Sequence, residues 1–477
     1  MGNYDESLPV VTGTVVNNST KEDNSDFSGK GEKQTPKCRD PIFALLLYIN
    51  VAAIAGVVGV YGVDGGTSDA GDTDEDTTIE GFEGYIYVAI ATGAFGLLFS
   101  ALSLMVLMRI PQILIKTSLI MTVVLSGVWA AIAFAAGNLV GGIIGAIIFA
   151  LSCCYAYSVW SRIPFATANL VTACKAVSSN CGITIAAYFF AALSFAWSVL
   201  WSVAIVAVQD RTTTCVEDEN GIEVCESINP GFLFLLFLSF FFTQQVIQNT
   251  LHVSVAGVVG TWWFSPDDNG CCSSAVTGSM IRSLTTSFGS ICFGSLIVAI
   301  IQALRQLANQ MRQQDDGILL CLAECILSCL ESIVEYFNKW AYVYVGIYGY
   351  SYLEAGKNVM TLFKNRGWEA IIADDLVSRT LFLLSLVVGG VAGGVGAAAA
   401  NFTDWFDGIE GNTSAISFFI GFLIGLVLAS ILMSVIGSGV NTVIVLFAEA
   451  PAEFQANYPE LSNKMREAWQ DAYPGLV

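Results

Sequence analysis

The chain has 477 residues and a net charge of −20, yet only 13% of its residues are charged and its mean hydropathy is +0.65. A soluble globular chain carries roughly a quarter charged residues. That depletion, with several separated apolar runs of about 20 residues, excludes a soluble domain. It indicates an all-α polytopic membrane protein, a bundle of about ten transmembrane helices.

The acidity is concentrated in three loops, 64–84, 209–230 and 401–414. The first holds Asp64, Asp69, Asp72, Asp74, Glu75, Asp76, Glu80 and Glu83, and of the 20 Lys and Arg only Arg211 falls in the three together. Lys and Arg concentrate on the cytosolic side of membrane proteins, so these loops are expected outside and both termini in the cytosol. The negative charge is therefore a sidedness signal, and it excludes nucleic acid as a partner.

In chain order, residues 1–37 are polar and too poor in apolar side chains to bury a core, which predicts a disordered cytosolic tail. No cleavable signal peptide is expected, because the first apolar run begins only near Ile42. Residues 38–447 form the membrane domain. Its expected spans are Ile42–Val63, Tyr85–Met108, Thr117–Ala136, Leu139–Trp160, Ile183–Val208, Phe232–Trp262, Leu284–Leu304, one within Ile318–Tyr352, Leu376–Ala400 and Ala415–Val435. Arg162 to Gly182 is expected as a cytosolic linker. Arg305 and Arg312 would lie outside, against the usual bias. Residues 448–477 form a cytosolic tail with a helical stretch at Glu460–Trp469.

Glycine spacing points to close helix contacts. Gly137-x-x-x-Gly141-x-x-x-Gly145 suits backbones in near contact. The run Gly389, Gly390, Gly393, Gly394 and Gly396 implies either tight packing or a flexible break.

Thirteen cysteines in a mostly intramembrane chain do not suggest a disulfide framework, except that Cys215 and Cys225 share the second outer loop, where oxidation persists. They are expected to pair. Cys271 and Cys272 are candidate palmitoylation sites, and Cys321, Cys325 and Cys329 share a helix face as small packing residues. The Asn401 and Asn412 sequons face outward and permit glycans.

Enzyme chemistry is not encoded. There is no G-x-x-x-x-G-K-[ST] and no G-x-S-x-G. With His252 the only histidine, no His-based metal cluster can form. No catalytic residue, metal or cofactor is expected.

The stretch Asn249–Phe264 puts His252 and two tryptophans at the end of a long apolar run, just after Gln244, Gln245 and Gln248. Polar groups in such a setting face a protein interior or a water-filled path. The amides either glue helices together or line that path. His252 is either a proton-linked switch or a neutral hydrogen-bonded core residue. Tyr336, Trp340, Tyr344, Tyr348 and Tyr352 recur every four residues, a slowly winding band on one helix face. Trp197 and Trp201 show the same spacing. These rings form either packing and interfacial belts or a cation-binding wall, with Glu331, Glu335 and Glu354 as possible counter-charges. Glu354 is equally placed to pair with Lys357 or cap a helix. The candidate ligand-contacting set is Trp197, Trp201, Gln245, Asn249, His252, Tyr344, Tyr348 and Glu354.

Several ordered blocks resemble the choline transporter-like family: C-R-D-P at residue 38, R-I-P-F-A-T-A-N-L-V-T-A-C-K-A (162–176), H-V-S-V-A-G-V-V-G-T-W-W-F (252–264), T-S-F-G-S-I-C-F-G-S-L-I-V-A-I-I-Q (286–302) and A-Y-V-Y-V-G-I-Y-G-Y-S-Y (341–352). The short first outer loop is similar to the fungal, plant and protist branch. Leu353 stands where the family usually has cysteine, so specificity there is expected to differ. The resemblance implies a solute carrier for choline or a related amine such as ethanolamine, facilitative or proton-linked and not ATP-driven. It would be multi-pass in the plasma membrane, with a small cationic amine and the lipid bilayer as partners. The alternative is a non-transporting membrane organiser working through its acidic loops and polar tails.

Overall fold

The computed structural model describes residues 31–62, 82–212, 215–217, 223–225, 229–314, 318–366, 370–406 and 412–473. The expected tail residues 1–30 and most of the first acidic loop lie outside the described residues.

Fifteen helices are described: α1 (Pro41–Val57), α2 (Phe82–Arg109), α3 (Pro111–Ala135), α4 (Leu139–Val159), α5 (Ile163–Ser179), α6 (Gly182–Thr212), α7 (Pro230–Phe264), α8 (Ser274–Leu284), α9 (Phe288–Gln314), α10 (Ile318–Tyr348), α11 (Tyr352–Arg366), α12 (Ala370–Phe402), α13 (Thr413–Glu449), α14 (Pro451–Asn457) and α15 (Pro459–Ala472). Proline opens many of them, at N1 or N2 of α1, α3, α5, α7, α14 and α15, where its missing N–H costs nothing. The only strands described, β1 (Cys215–Glu217) and β2 (Glu223–Cys225), form a small antiparallel hairpin.

Among the described residues, nine helices are long and apolar enough to cross a membrane. The remaining expected crossing corresponds to α10, which Glu324, Glu331, Glu335 and Lys339 make less apolar. It runs antiparallel to α9, as its partners show. Arg312 pairs with Glu324 at 3.3 Å, Arg305 with Glu331 at 2.6 Å, and Asn338 Nδ2 donates to Gly294 O at 3.0 Å. The two arginines that looked misplaced are thus neutralised from the neighbouring helix.

The most intimate contact joins α12 and α13. A Cβ on Gly425 would stand 2.5 Å from Ala392 Cβ, one on Gly421 2.6 Å from Ala392 O, and one on Gly393 2.9 Å from Phe418 O. Because α12 is one continuous helix, the glycine run serves packing and introduces no break. Gly390 and Gly394 meet nothing within 4 Å. In the α3–α4 hairpin only part of the expected spacing acts. A Cβ on Gly145 would stand 2.9 Å from Ala130 Cα, whereas Gly137 (φ 76°) makes the turn.

Three sequence expectations change. The supposed linker is α5, a helix with Phe165, Asn169, Leu170 and Cys174 fully buried. Its alternation of small and large apolar residues packs it beneath α13 and α15, where Phe165 meets Trp469 edge-on at 5.0 Å. The C-terminal segment is docked: Trp263 stacks on Phe454 at 4.0 Å and Trp262 on Tyr458 at 4.1 Å. Trp263 Nε1 also donates to Ala450 O at 3.0 Å. Both tryptophans are core residues, fully buried. Finally, Cys271 is bonded to Cys181, Cα to Cα 4.6 Å. It is therefore unavailable for acylation, whereas Cys272 is free and exposed. Strand register sets Cys215 opposite Cys225, but their side chains lie outside the described residues. Cys321, Cys325 and Cys329 are exposed on α10, not packed. Asn401 and Asn412 are exposed. Asn401 Nδ2 donates to Ser414 Oγ, and Asn412 Oδ1 caps α13 by accepting from Ala415 N.

If α12 and α13 are held by backbone proximity, Gly425→Val should cost about 1–3 kcal/mol by overpacking and lower the melting temperature of the purified protein in detergent. Gly394→Ala, which meets no neighbour, should leave it unchanged or raise it. Equal behaviour of the two variants would refute the contact.

Candidate functional site

Helix α7 begins at Asn229, whose side chain accepts from Gly231 N at 2.9 Å, and runs for 35 residues. Beyond Val246 it is almost wholly buried, so every polar group on it needs a protein partner. Gln244, Gln245, Gln248, Asn249 and His252 occupy successive turns of this helix. Gln244 Nε2 donates to Ser198 Oγ at 2.7 Å and to Ser194 O at 3.0 Å, fastening α6. Asn249 Nδ2 donates to Ser295 Oγ at 3.0 Å and to Gln245 Oε1 at 3.3 Å, and Gln245 Nε2 donates to Gln302 Oε1 at 3.3 Å. Gln302 Nε2 then donates to Glu331 at 3.0 Å and Glu335 at 3.2 Å. The result is an amide relay from α7 through α9 to two carboxylates of α10.

His252 ties three helices. Its Nε2 lies 3.0 Å from the Lys339 carbonyl, which can only accept, so that nitrogen carries the proton. Nδ1, 2.7 Å from Ser438 Oγ, then accepts from the hydroxyl. Both ring nitrogens of a neutral imidazole are satisfied.

Beside this face lies a cavity of about 750 Å³ between α6, α7, α10 and α13, with Val298 from α9. Its polar wall is Gln245, Gln248, Asn249, His252, Glu335, Asn338, Lys339, Ser438 and Asn441. Lys339 is ion-paired with Asp374 of α12 and lies 4.8 Å and 5.1 Å from the Tyr336 and Trp340 ring centroids, so its charge is answered. Glu335 has no ion-pair partner among the described residues; Gln302 is its hydrogen-bond donor. Asn441 is 5% exposed and its Oδ1 has no hydrogen-bond partner among the described residues. The wall therefore presents one unpaired carboxylate and unused amide groups. Its chemistry suits a small ligand with positive charge and polar atoms.

Of the sequence candidates, Gln245, Asn249 and His252 line this cavity. The other candidates do not. Trp197 and Trp201 donate from Nε1 to Phe240 O (3.3 Å) and Leu236 O (2.8 Å), which turns both indoles onto α7. Tyr344 and Tyr348 join Tyr350 in a separate buried cluster, with ring centroids 5.3–6.3 Å apart. The segment before α1 closes over that cluster. Gln34 N donates to Tyr348 O at 2.8 Å, Glu32 N to Tyr350 Oη at 3.1 Å, and Gly31 N to Glu449. Rings this close leave no space for a guest between them. Glu354 is exposed in the first turn of α11, where it accepts from Ser351 Oγ at 3.3 Å. The band winds because four residues exceed one helical turn, so its members face different neighbours.

Composition alone did not single out the α13 wall. Its signal is nonetheless visible as Ser430, Ser434, Ser438 and Asn441, a polar stripe at helical spacing in an apolar helix. Glu335, Asn338 and Lys339 show the same pattern on α10.

Comparison with known proteins agrees with this architecture. Residues 143–452 match the family described as plasma-membrane choline transporter. The chain is 28% identical over 464 residues to protein PNS1 of Mycosarcoma maydis, covering 94% of this chain and 87% of that one. It is 31% identical over 381 residues to a CTL-like protein of Dictyostelium discoideum, covering 79% and 66%.

The Lys339–Asp374 pair generates a double-mutant test. Asp374→Asn alone strands a charge and should cost about 3–5 kcal/mol, whereas adding Lys339→Met should recover most of that loss in detergent melts. Strictly additive losses would show that the two side chains do not interact.

Proposed function

The chain belongs to the choline transporter-like family of membrane transporters, and we propose that it carries choline or a related amine such as ethanolamine through the α6–α7–α10–α13 cavity. The observation that carries this reading is Glu335, a carboxylate on the cavity wall without an ion-pair partner among the described residues. Its attraction would favour a cation at the cavity wall, where Glu335 is itself exposed. The volume of about 750 Å³ lies in the range of small-ligand sites, about 300–1,000 Å³.

In this reading Gln248 and Asn441 bond the polar end of the substrate, while Gln245 and Asn249 hold Glu335 in place through Gln302. His252 fixes the relative position of α7, α10 and α13. Trp197, Trp201, Tyr344 and Tyr348 act through packing, and Glu354 through the start of α11. Transport would be facilitative or proton-linked, in the plasma membrane, with the acidic loops outside and any glycans on Asn401 and Asn412.

Labelled choline uptake into vesicles containing the purified protein tests this. Uptake above empty vesicles is expected. Glu335→Gln should lower uptake efficiency about tenfold or more, equivalent to about 1.4 kcal/mol of lost binding. Uptake no greater than in empty vesicles, for choline and ethanolamine alike, would favour the non-transporting organiser.

A further inference from the structure

The outward face of α13 changes its surroundings along its length. Ile416, Phe419, Leu423 and Val427 are 48%, 64%, 56% and 54% exposed. Their spacing of three and four residues makes them one apolar face. The same face continues as Ser430, Ser434, Ser438 and Asn441, and Val427, Ser430, Ile431, Ser434, Ser438 and Asn441 all line the cavity. Ser430 and Ser434 are still exposed. One helix face thus passes without interruption from the surface that meets lipid to the wall of the cavity. On the opposite side Phe195 of α6 lines the cavity while 71% exposed, beside the outward-facing Leu193 and Val199. Exposed lining residues thus stand on both α6 and α13, flanked by outward-facing apolar side chains, which points to an opening of the cavity between these two helices.

The gap and the inner wall differ in chemistry. At the gap stand Phe195, Val427 and Ile431. The hydroxyls of Ser430 and Ser434 are spent on their own helix, donating to Val427 O at 2.9 Å and Ile431 O at 2.7 Å. Satisfied in this way, the gap asks for no polar partner. The inner wall holds Glu335, which has no ion-pair partner among the described residues, Gln248, and Asn441 Oδ1, which is buried without a hydrogen-bond partner among the described residues. The other charged and titratable wall groups are already engaged, Lys339 with Asp374 and His252 with Ser438 and the Lys339 carbonyl. A ligand matching both parts has a cationic head and an apolar chain.

We propose that this cavity binds a cationic single-chain amphiphile that enters from the bilayer between α6 and α13. Its ammonium head lies at Glu335, its polar atoms meet Gln248 and Asn441, and its alkyl chain runs along Phe195, Val427 and Ile431. The head position rests on the reading of the cavity as an amine site, whereas the chain position rests on the open side alone.

The test is binding of radiolabelled dodecyltrimethylammonium to the full chain in nanodiscs, compared with empty nanodiscs. Tetramethylammonium serves as the head without the chain, and dodecyl maltoside as a chain without the charge. Saturable binding at one per chain is expected, at least tenfold tighter than tetramethylammonium and poorly displaced by dodecyl maltoside. Ser434→Trp, which fills the gap from an exposed position, should weaken the amphiphile at least tenfold and leave tetramethylammonium unchanged. Phe419→Ala, on the same helix face but outside the cavity lining, should behave as the unaltered protein, and Val427→Trp gives a second block should Ser434→Trp melt early. Glu335→Gln should weaken both cations. Equal affinity for the two cations, or amphiphile binding indifferent to both tryptophan variants, overturns the proposal while leaving amine transport standing. Amphiphile binding that meets these expectations without any choline or ethanolamine uptake overturns the transport reading and leaves this one.

Discussion

The bundle depends on one constraint: Gln244, Gln245, Asn249 and His252 of α7 lie between helices where water is scarce, so each bonds a group on a neighbouring helix. An unsatisfied polar group in such a setting costs several kcal/mol. Gln244 therefore fastens α6, Asn249 and Gln245 fasten α9, and His252 fastens α10 and α13. The partners are specific in position and geometry, whereas apolar contacts with other helices are not. This row sets which helices surround α7, and hence which of them enclose the cavity.

A second consequence concerns charge. Within the bundle three ion pairs join neighbouring helices: Arg305 with Glu331, Arg312 with Glu324, and Lys339 with Asp374. Glu335 stands apart in that company. It sits one turn from Glu331 and one from Lys339, yet both neighbours are already engaged, so only an amide bonds it. A carboxylate kept in this way is costly to the fold, which is the physical ground for reading it as a binding group. The serine and asparagine stripe of α13 completes the wall opposite.

Much of the fold was legible because hydropathy and length carry it. Nine of the expected spans fall on helices long and apolar enough to cross a membrane and the tenth on the less apolar α10, while α9 and α13 run on to Gln314 and Glu449, well past the expected ends. What misled was polarity taken as exposure. The segment from Arg162 to Gly182 looked like a linker because Asn169, Thr172 and Lys175 interrupt it. As a helix it buries Asn169 and Thr172, whose side chains bond backbone carbonyls of their own turn, and leaves Lys175 exposed. The C-terminal segment looked like a tail, but Phe454, Tyr458 and Trp469 give it aromatic rings that pack against Trp262, Trp263 and Phe165.

The sequence by itself determined the membrane class, the long apolar helices and the polar row on α7, because these follow from local composition and a fixed helical period. It also carried the family resemblance. It did not determine which helices become neighbours, since lipid-facing and protein-facing apolar residues look alike in a chain. Only the tertiary structure decided that Gln245, Asn249 and His252 share a cavity with Glu335 and Asn441, while Trp201 and Tyr348 turn elsewhere. It alone joined Cys181 to Cys271, which are 90 residues apart in sequence. It also left Phe195 of α6 and Val427 of α13 exposed beside the cavity, because which face of an apolar helix is covered depends on neighbours distant in sequence.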